Sequence, residues 1–317
     1  MTQFVVAVDA YGGDLGPSAV VEGAVWAKKE RGRLELTLTG NGEELNSLLA
    51  MHGFGGEINV VHAPDVILQS DSPTLAFRRK KESSMIVGLK LVKEGKAQAF
   101  VSAGSTGAML TGATVLVGRQ KGIERPALAT LLPNAKKGFT LLVDSGANVD
   151  SKPKYLLQFA ELGSEYMKNF RGIKSPRVGL INVGAEDEKG NTLVKEAFHL
   201  LKASQLNFVG NVEGREIPSG DVDVAVCDGF TGNVVLKFME GTAKSMMGML
   251  REELLSSPVS KLGALLAKGA FARIRKRFDY REVGGAPFLG LQAMVIKAHG
   301  SSDALAIKNA ILQTVKE

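Results

Sequence analysis

The sequence predicts an α/β fold: a doubly wound, mostly parallel sheet with helices on both faces. Three observations carry that reading. Short apolar runs rich in β-branched residues recur at 5–8, 34–39, 58–61, 99–101, 140–143, 178–181, 222–226 and 293–296, each of strand length and bounded by turn residues. Between them lie segments whose apolar residues repeat at helical spacing, at 74–93, 106–117, 153–168, 193–202 and 302–315. Strands alternating with helices argue for parallel pairing through crossover connections. Most of the runs also end in a glycine-rich polar turn. In open α/β sheets ligands bind in the crevice outside the carboxyl ends of the strands, so these turns are expected along one rim.

In chain order, the run at 5–8 leads into Asp9-Ala-Tyr-Gly-Gly-Asp-Leu-Gly16, and Pro17 stands where a first helical residue belongs. The strand at 34–39 closes on Gly40-Asn-Gly42 before a helix through Leu48. The helix at 74–93 carries Arg78, Arg79, Lys80 and Lys81 in succession. Four successive side chains splay around a helix, so they form a solvated face, a docking patch for an acidic partner, or a face from which one arginine reaches the crevice. The run at 99–101 enters Ser102-Ala-Gly-Ser-Thr-Gly-Ala108. Segments 128–132 and 139–143, joined through Pro133 and Gly138, read as a hairpin. Three more turns follow later runs: Asp144 to Asp150, Asn182 to Asn191, and Lys297 to Asp303.

The turn after 222–226 is the richest. Cys227-Asp-Gly-Phe-Thr-Gly-Asn233 precedes helical spacing from Val234. Glycine admits backbone angles that let amide N–H groups converge on one anion, and the following helix points its positive end at the same place. A tight connection needing glycine for geometry alone is the plain alternative. Repetition of the device favours an anion site, with Gly12, Gly13, Ser102, Gly104, Thr106, Gly107, Asn191, Asp228, Gly229, Gly232 and Lys297 as candidate substrate contacts. Asn182, Lys189, Asn233 and His299 are the candidates for chemistry, a set able to hold a small anion and to stabilise an oxyanion.

The segment 258–278 differs in character. Val259, Leu262, Leu266, Phe271, Ile274 and Phe278 recur at helical spacing, and Lys261, Lys268, Arg273, Arg275, Lys276 and Arg277 cluster among and after them. An apolar stripe beside a basic one describes a helix lying in a lipid interface, with Leu262, Leu265 and Leu266 as its membrane contacts. Packing on a partner subunit or on its own domain is the competing account. The chain is expected to form one catalytic α/β domain over 1–317, with 240–283 as a helical insertion facing membrane or partner.

Composition narrows the function. A chain of 317 residues, 44% hydrophobic and with a mean hydropathy of +0.05, has ample core. No secretory leader pattern opens it, and no apolar stretch approaches the roughly 20 residues that span a bilayer. A single cysteine, Cys227, provides no internal disulfide and fits a reducing cytoplasm. Four scattered histidines give no zinc spacing, and no metal or other cofactor is expected. A net charge of +6 and a pI of about 9.2 favour acidic partners. Aromatics at 6% are not interleaved with a basic stripe, so nucleic acid is not expected. The sequence also lacks a G-x-G-x-x-G dinucleotide fingerprint, a P-loop and a G-x-S-x-G elbow.

Several stretches together carry a resemblance. Asp9-Ala-Tyr-Gly-Gly-Asp-Leu-Gly-Pro17, Ser102-Ala-Gly-Ser-Thr-Gly-Ala108, Gly122-Ile-Glu-Arg-Pro126, Gly210-Asn-Val-Glu-Gly-Arg215, Cys227-Asp-Gly-Phe-Thr-Gly-Asn233, Gly284-Gly-Ala-Pro287 and Lys297-Ala-His-Gly-Ser-Ser-Asp303 resemble the bacterial phosphate acyltransferases of the PlsX type. The likeness spans nearly the whole chain. Tyr11 and Ser105 depart from the pattern, where methionine and asparagine are usual. The resemblance implies a fold similar to the isocitrate/isopropylmalate dehydrogenase group. It implies a reaction in which inorganic phosphate takes the acyl group of an acyl-acyl carrier protein, giving acyl phosphate for phospholipid synthesis. It implies a cytoplasmic homodimer without metal or nucleotide, peripherally attached to an anionic membrane surface through 258–278 and supplying a membrane glycerol-3-phosphate acyltransferase.

On that reading Lys189 and the turn amides would hold phosphate, Asn233 or Asn182 would donate to the thioester oxyanion, and His299 would shuttle a proton or orient phosphate. An acyl-Cys227 intermediate is the covalent alternative; a strand-end thiol is more often buried and inert. Two readings of other classes stand beside it: a non-catalytic scaffold presenting an acyl carrier at the membrane, and a dehydrogenase on a related fold.

Overall fold

Side chains that alternate along a strand face opposite sides of a sheet, and β1 (Val5–Asp9) uses both. Val6 and Val8 enter a core with α1 (Gly16–Glu30), while Ala7 packs in a separate core on the other face. The computed structural model describes residues 4–315. It continues through β2 (Glu35–Gly40), α2 (Gly42–Met51), β3 (Asn59–His62), α3 (Pro73–Arg79), α4 (Ser84–Lys93), β4 (Ala99–Ser102) and α5 (Thr106–Leu116). The second half holds β5 (Ala127–Pro133), β6 (Phe139–Val143), α6 (Pro153–Arg171), β7 (Val178–Asn182), α7 (Thr192–Lys202), β8 (Phe208–Glu213) and a 3-10 turn (Gly214–Ser219). Then come β9 (Val224–Val226), α8 (Gly229–Leu255), α9 (Pro258–Leu266), α10 (Lys268–Arg277) and α11 (Tyr280–Val283). The chain returns to the sheet with β10 (Gly285–Leu289), β11 (Met294–Ala298) and α12 (Ala304–Leu312).

All strands join one sheet in the order β3-β2-β1-β4-β11-β10-β5-β6-β9-β7-β8. Most neighbours are parallel, as expected, and β5 with β6 forms the expected hairpin. The second half repeats the two-sided packing: Leu141 and Val143 of β6 meet α6, while Leu142 meets Leu236 and Met239 of α8.

The single rim does not hold in the form expected. β10 is antiparallel to both β11 and β5, and β5 is antiparallel to β6, so β6, β9, β7 and β8 run opposite to the first half. The two halves still meet because β10 changes partner midway. Gly285–Pro287 pair with β11, whereas Phe288 and Leu289 pair with Leu128 and Ala127 of β5. Beyond that point β5 and β10 separate, and a cleft opens between them.

Two helical expectations change. The segment 74–93 is two helices, because Ser84 donates its amide to the Asp65 carbonyl at 3.0 Å and Asp65 bridges Ser83, which needs extended backbone there. The segment 258–278 is also two, α9 and α10, meeting at Ala267 between Gly263 and Gly269. Together with the distal part of α8, these helices project from the sheet, and neither α9 nor α10 buries a residue.

Candidate active site

The cleft between β5 and β10 collects turns from both halves of the sheet. Thr106 follows β4, Ser145 and Gly146 follow β6, Asn233 lies in the first turns of α8, Lys297 is near the end of β11 and His299 follows it. This cavity of about 270 Å3, in which a few polar groups are set among apolar ones, is continuous with a larger one of about 530 Å3, the two sharing Thr130, Leu131, Leu236, Glu240, Tyr280, Val283 and His299. The larger one is an apolar groove floored by Leu131, Leu132 and Pro133 of β5. Its wall is a stripe on α8, Leu236, Met239, Ala243 and Met247, spaced to share one helix face. Arg275, Arg277 and Arg281 stand at its rim, and Arg277 donates to the Asn134 carbonyl at 2.5 Å.

Several helix starts already use their first-turn amides within the chain. Asp228 accepts from the Thr231 N–H at 2.9 Å and the Thr231 hydroxyl at 2.8 Å, so the seat expected for an anion at 228–232 holds the chain's own carboxylate. The Gly229 amide donates to the Asn148 carbonyl at 2.8 Å. Gly232 passes so close to the Asp144 carbonyl that any Cβ would collide with it; this glycine serves packing. Asn191 caps α7 through Val194, and Asp303 caps α12 through Ala306, in the same manner. The start of α5 lacks such a cap, as do those of α1, α3, α4, α6 and α10, and of these it is the one whose first residue, Thr106, lines the cleft. Ser105 makes no side-chain cap, and among the described residues no acceptor takes the N–H of Thr106 or Gly107. Open first-turn amides at the positive end of a helix suit an anion.

The first-half turns build this end of the cleft. Asp9 is buried and accepts from the Ser102 hydroxyl at 2.6 Å and the Tyr11 amide at 3.2 Å. Burial pushes its pKa up, against the Ser102 and Ser84 hydroxyls, the Tyr11 amide and the Lys297 cation. The Gly104 amide in turn donates to the Ser102 oxygen at 2.9 Å. A Cβ on Gly12 would lie 2.6 Å from Asp9 Oδ2, so Gly12, Ser102 and Gly104 shape the turns instead of facing the cavity. Gly13 packs beside Ala103 and Gly300, and Gly107 beside Pro73 of α3. Tyr11, one of the departures noted above, is hydrogen-bonded to Glu44.

Lys297 and His299 define the site's electrostatics. The Lys297 ammonium donates to the carbonyls of Ala103, at 3.3 Å, and Ala298. Burial, helped by the Lys237 cation and opposed by Asp14 and Asp9, draws its pKa down to about 8. His299 accepts the Ser301 amide on Nδ1 at 3.2 Å, which requires a lone pair there and leaves the proton of the neutral ring on Nε2. Burial first, then Lys237 and Lys297, hold its pKa below 6.5, with Glu240 and Asp14 opposing. The ring is therefore neutral at pH 7 and carries its proton on Nε2. Tyr280 packs against it with ring centroids 5.3 Å apart and reaches Ser301 through its hydroxyl.

Besides the turn-shaping residues Gly12, Gly13, Ser102, Gly104, Gly107, Gly229 and Gly232, the sequence-predicted residues fall in two places. Asn233, Thr106, Lys297 and His299 share the cleft. Asn182 and Asn191 line a separate depression with Asp228 and Thr231. Lys189 is exposed on the same loop, its carbonyl accepting from Asn182 Nδ2 at 3.0 Å. Cys227 is 2% exposed, and burial, with Asp228 and Asp144 adding to it, pushes its thiol well above the ordinary range. Such burial favours the neutral thiol and disfavours the thiolate that a covalent route would need. Sequence reasoning passed over Thr130, Gly146, Glu240 and Tyr280 as cleft residues; none stands in a turn motif except Gly146, whose turn was recognised without its site being chosen. Leu262, Leu265 and Leu266 are 61%, 67% and 82% exposed on α9.

This architecture, two sheet halves of opposite polarity around a cleft, defines a fold shared with the phosphotransacylases. A phosphotransacetylase from Streptococcus pyogenes aligns with a TM-score of 0.66 at 18% identity, covering 99% of this chain and 94% of that one. A branched-chain phosphotransacylase from Enterococcus faecalis V583 aligns with a TM-score of 0.58 at 15% identity, covering 98% and 97%. A 4-hydroxythreonine-4-phosphate dehydrogenase from Burkholderia phymatum also shares the fold, with a TM-score of 0.52 at 14% identity over 99% and 98%. At such identities the likeness concerns the fold alone. The sequence is more specific. Proteins named phosphate acyltransferase are 52% identical over 310 residues in Clostridium botulinum (strain Loch Maree / Type A3), covering 98% of this chain and 92% of the relative. In Clostridium acetobutylicum the identity is 51% over 312 residues, covering 98% and 94%. A family model described as fatty acid synthesis protein matches residues 4–316. The chain belongs to the phosphate acyltransferase family.

Proposed function

We propose that this enzyme transfers a fatty acyl group from an acyl-acyl carrier protein to inorganic phosphate, releasing acyl phosphate and free carrier. The observation that carries the reading is the continuity of the cavity that gathers Thr106, Asn233, Lys297 and His299 with the apolar groove. A small anion and a long alkyl chain can thus be held end to end, with the thioester carbon at the junction near Asn233 and His299. Phosphate would sit on the Thr106 and Gly107 amides beside Lys297. Asn233 and the Nε2–H of His299 would donate to the oxyanion that forms when phosphate oxygen attacks. Phosphate is already nucleophilic at neutral pH, so holding it about 3–3.5 Å from the carbonyl carbon is the main catalytic task. The depression beside Lys189, Asn182 and Asn191 is the rival phosphate seat; the cleft is preferred because it opens directly onto the groove.

The product would serve phospholipid synthesis through a membrane glycerol-3-phosphate acyltransferase. No helix among the described residues is long and apolar enough to cross a membrane. Each large apolar side chain left in water forgoes about 1.5–3 kcal/mol relative to burial, which favours covering Leu262, Leu265 and Leu266 with a lipid surface. The basic residues of α10 would add attraction to anionic headgroups. We place the enzyme in the cytoplasm, attached peripherally to the membrane and paired as a homodimer.

The test is hydroxylamine trapping with purified protein, acyl-acyl carrier protein and phosphate. Phosphate-dependent acyl hydroxamate above the enzyme-free control supports transfer. Its absence would favour a scaffold that presents the carrier without chemistry.

A further inference from the structure

Thioester cleavage leaves a thiolate, and a proton must reach it. Of the cleft's titratable groups, most are committed. His299 uses Nδ1 on the Ser301 amide, Lys237 is paired with Glu240 at 2.8 Å on the exposed face of α8, and Tyr280 hydrogen-bonds Ser301. Lys297 is not so committed. It lies on β11 between Ser102 of β4 and Ala286 of β10, and it lines the cavity with Thr106 and Asn233. Its ammonium has three donors; the Ala103 and Ala298 carbonyls take two, leaving one for the cleft. Among the described residues no carboxylate pairs with it directly, Asp9 and Asp14 acting from farther away.

Resting on the acyl-transfer reading above, we propose that Lys297 is the general acid that protonates the departing thiolate. As the tetrahedral adduct collapses, the C–S bond breaks, its electron pair goes to sulfur, and a proton passes from Nζ to that sulfur. The neutral amine then takes the proton that hydrogen phosphate brought in, now more acidic because its oxygen is acylated. Ammonium is restored, and the sum is thioester plus hydrogen phosphate giving acyl phosphate plus thiol. Burial sets the donor near the acidity the step needs: its pKa of about 8 lies close to the roughly 8.5 of an ordinary thiol, where proton transfer is efficient in either direction. The neighbours that tune it are Asp9, Asp14 and Lys237, with Glu240, Tyr280 and His299 across the cavity.

The experiment compares two donors, an alkyl thioester and a nitrothiophenyl thioester whose thiolate leaves without a proton, for the unaltered enzyme, Lys297→Met and Lys297→Arg. Lys297→Met removes the cation as well as the proton donor, so it is expected to lose on the order of 10²–10⁴-fold in kcat on the alkyl ester and to raise the phosphate KM on both esters, the aryl ester recovering only the proton-donation part of the loss. Lys297→Arg keeps the charge but holds its proton too tightly, so it should show the same split with little change in the phosphate KM. Equal losses on both esters in a folded Lys297→Arg enzyme, or alkyl turnover undiminished by that substitution, would overturn the assignment. Should the unaltered enzyme consume neither ester in a phosphate-dependent way, the acyl-transfer reading itself fails and takes this role with it.

Discussion

The amide of Ser301 donates to Nδ1 of His299 at 3.2 Å, fixing which ring nitrogen carries the proton. Because the pKa of His299 is held below 6.5, the neutral ring persists at neutral pH; as pH falls through that depressed value Nδ1 gains a proton, can no longer accept the Ser301 amide, and the ring loses the contact that aims Nε2–H into the cleft. Lys297 acts in its protonated form and loses it as pH rises through about 8. A bell-shaped kcat profile is therefore expected, with an acid limb below pH 6.5 and an alkaline limb near 8. His299→Ala should lower kcat by about 10²–10³-fold and remove the acid limb. A profile with the acid limb intact in that variant would contradict the role.

Asp144 holds the turn that faces Asn233. It accepts from the amides of Leu128, Gly146, Ala147 and Asn148 and from the Asn148 side chain, at 2.7–3.1 Å. Burial pushes its pKa up, and those donors pull it back. Asn in its place would turn one acceptor into a donor aimed at N–H groups, leaving buried polar atoms unpaired. Asp144→Asn should destabilise the protein by about 2–4 kcal/mol, read from urea unfolding. A loss under about 1 kcal/mol would mean the turn is held by other contacts.

Ala243 stands one turn beyond Met239 on the stripe of α8 that walls the apolar groove. Filling the groove with Ala243→Phe should shorten the preferred acyl chain, raising KM for long donors while leaving short-chain turnover unchanged. Initial rates across a series of donor chain lengths check this. An unaltered chain-length preference would place the acyl chain elsewhere.

The exposed leucines of α9 make a separable prediction. Leu262→Asp with Leu266→Asp should abolish sedimentation with anionic vesicles while soluble turnover stays near that of the unaltered enzyme, since α9 buries none of its residues. Unchanged sedimentation would assign the patch to a partner subunit instead.

Most of the parallel strands and their turns were legible because β-branched runs and glycine turns are local signals, but β8 was not among them. β10 was hidden: Gly285 and Pro287 are poor strand residues, yet this strand joins the two halves of the sheet and opens the cleft where it parts from β5. Strand neighbours depend on contacts far apart in sequence, so local pattern could not reveal that the turns approach from two directions. The filled seat at Asp228 was more nearly readable, since an Asp three residues before Thr231 is an N-cap arrangement. Its carboxylate occupies the place that glycine spacing alone assigns to a ligand. The helical segment at 258–278 was legible as amphipathic, but its break at Ala267 was not, because two glycines weaken a helix without marking where it ends.

The most direct measurement is a crystal structure with phosphate bound. The account predicts the anion within hydrogen-bonding distance of the Thr106 and Gly107 amides and of the Lys297 ammonium. Phosphate found instead beside Lys189, in the depression lined by Asn182 and Asn191, would contradict it.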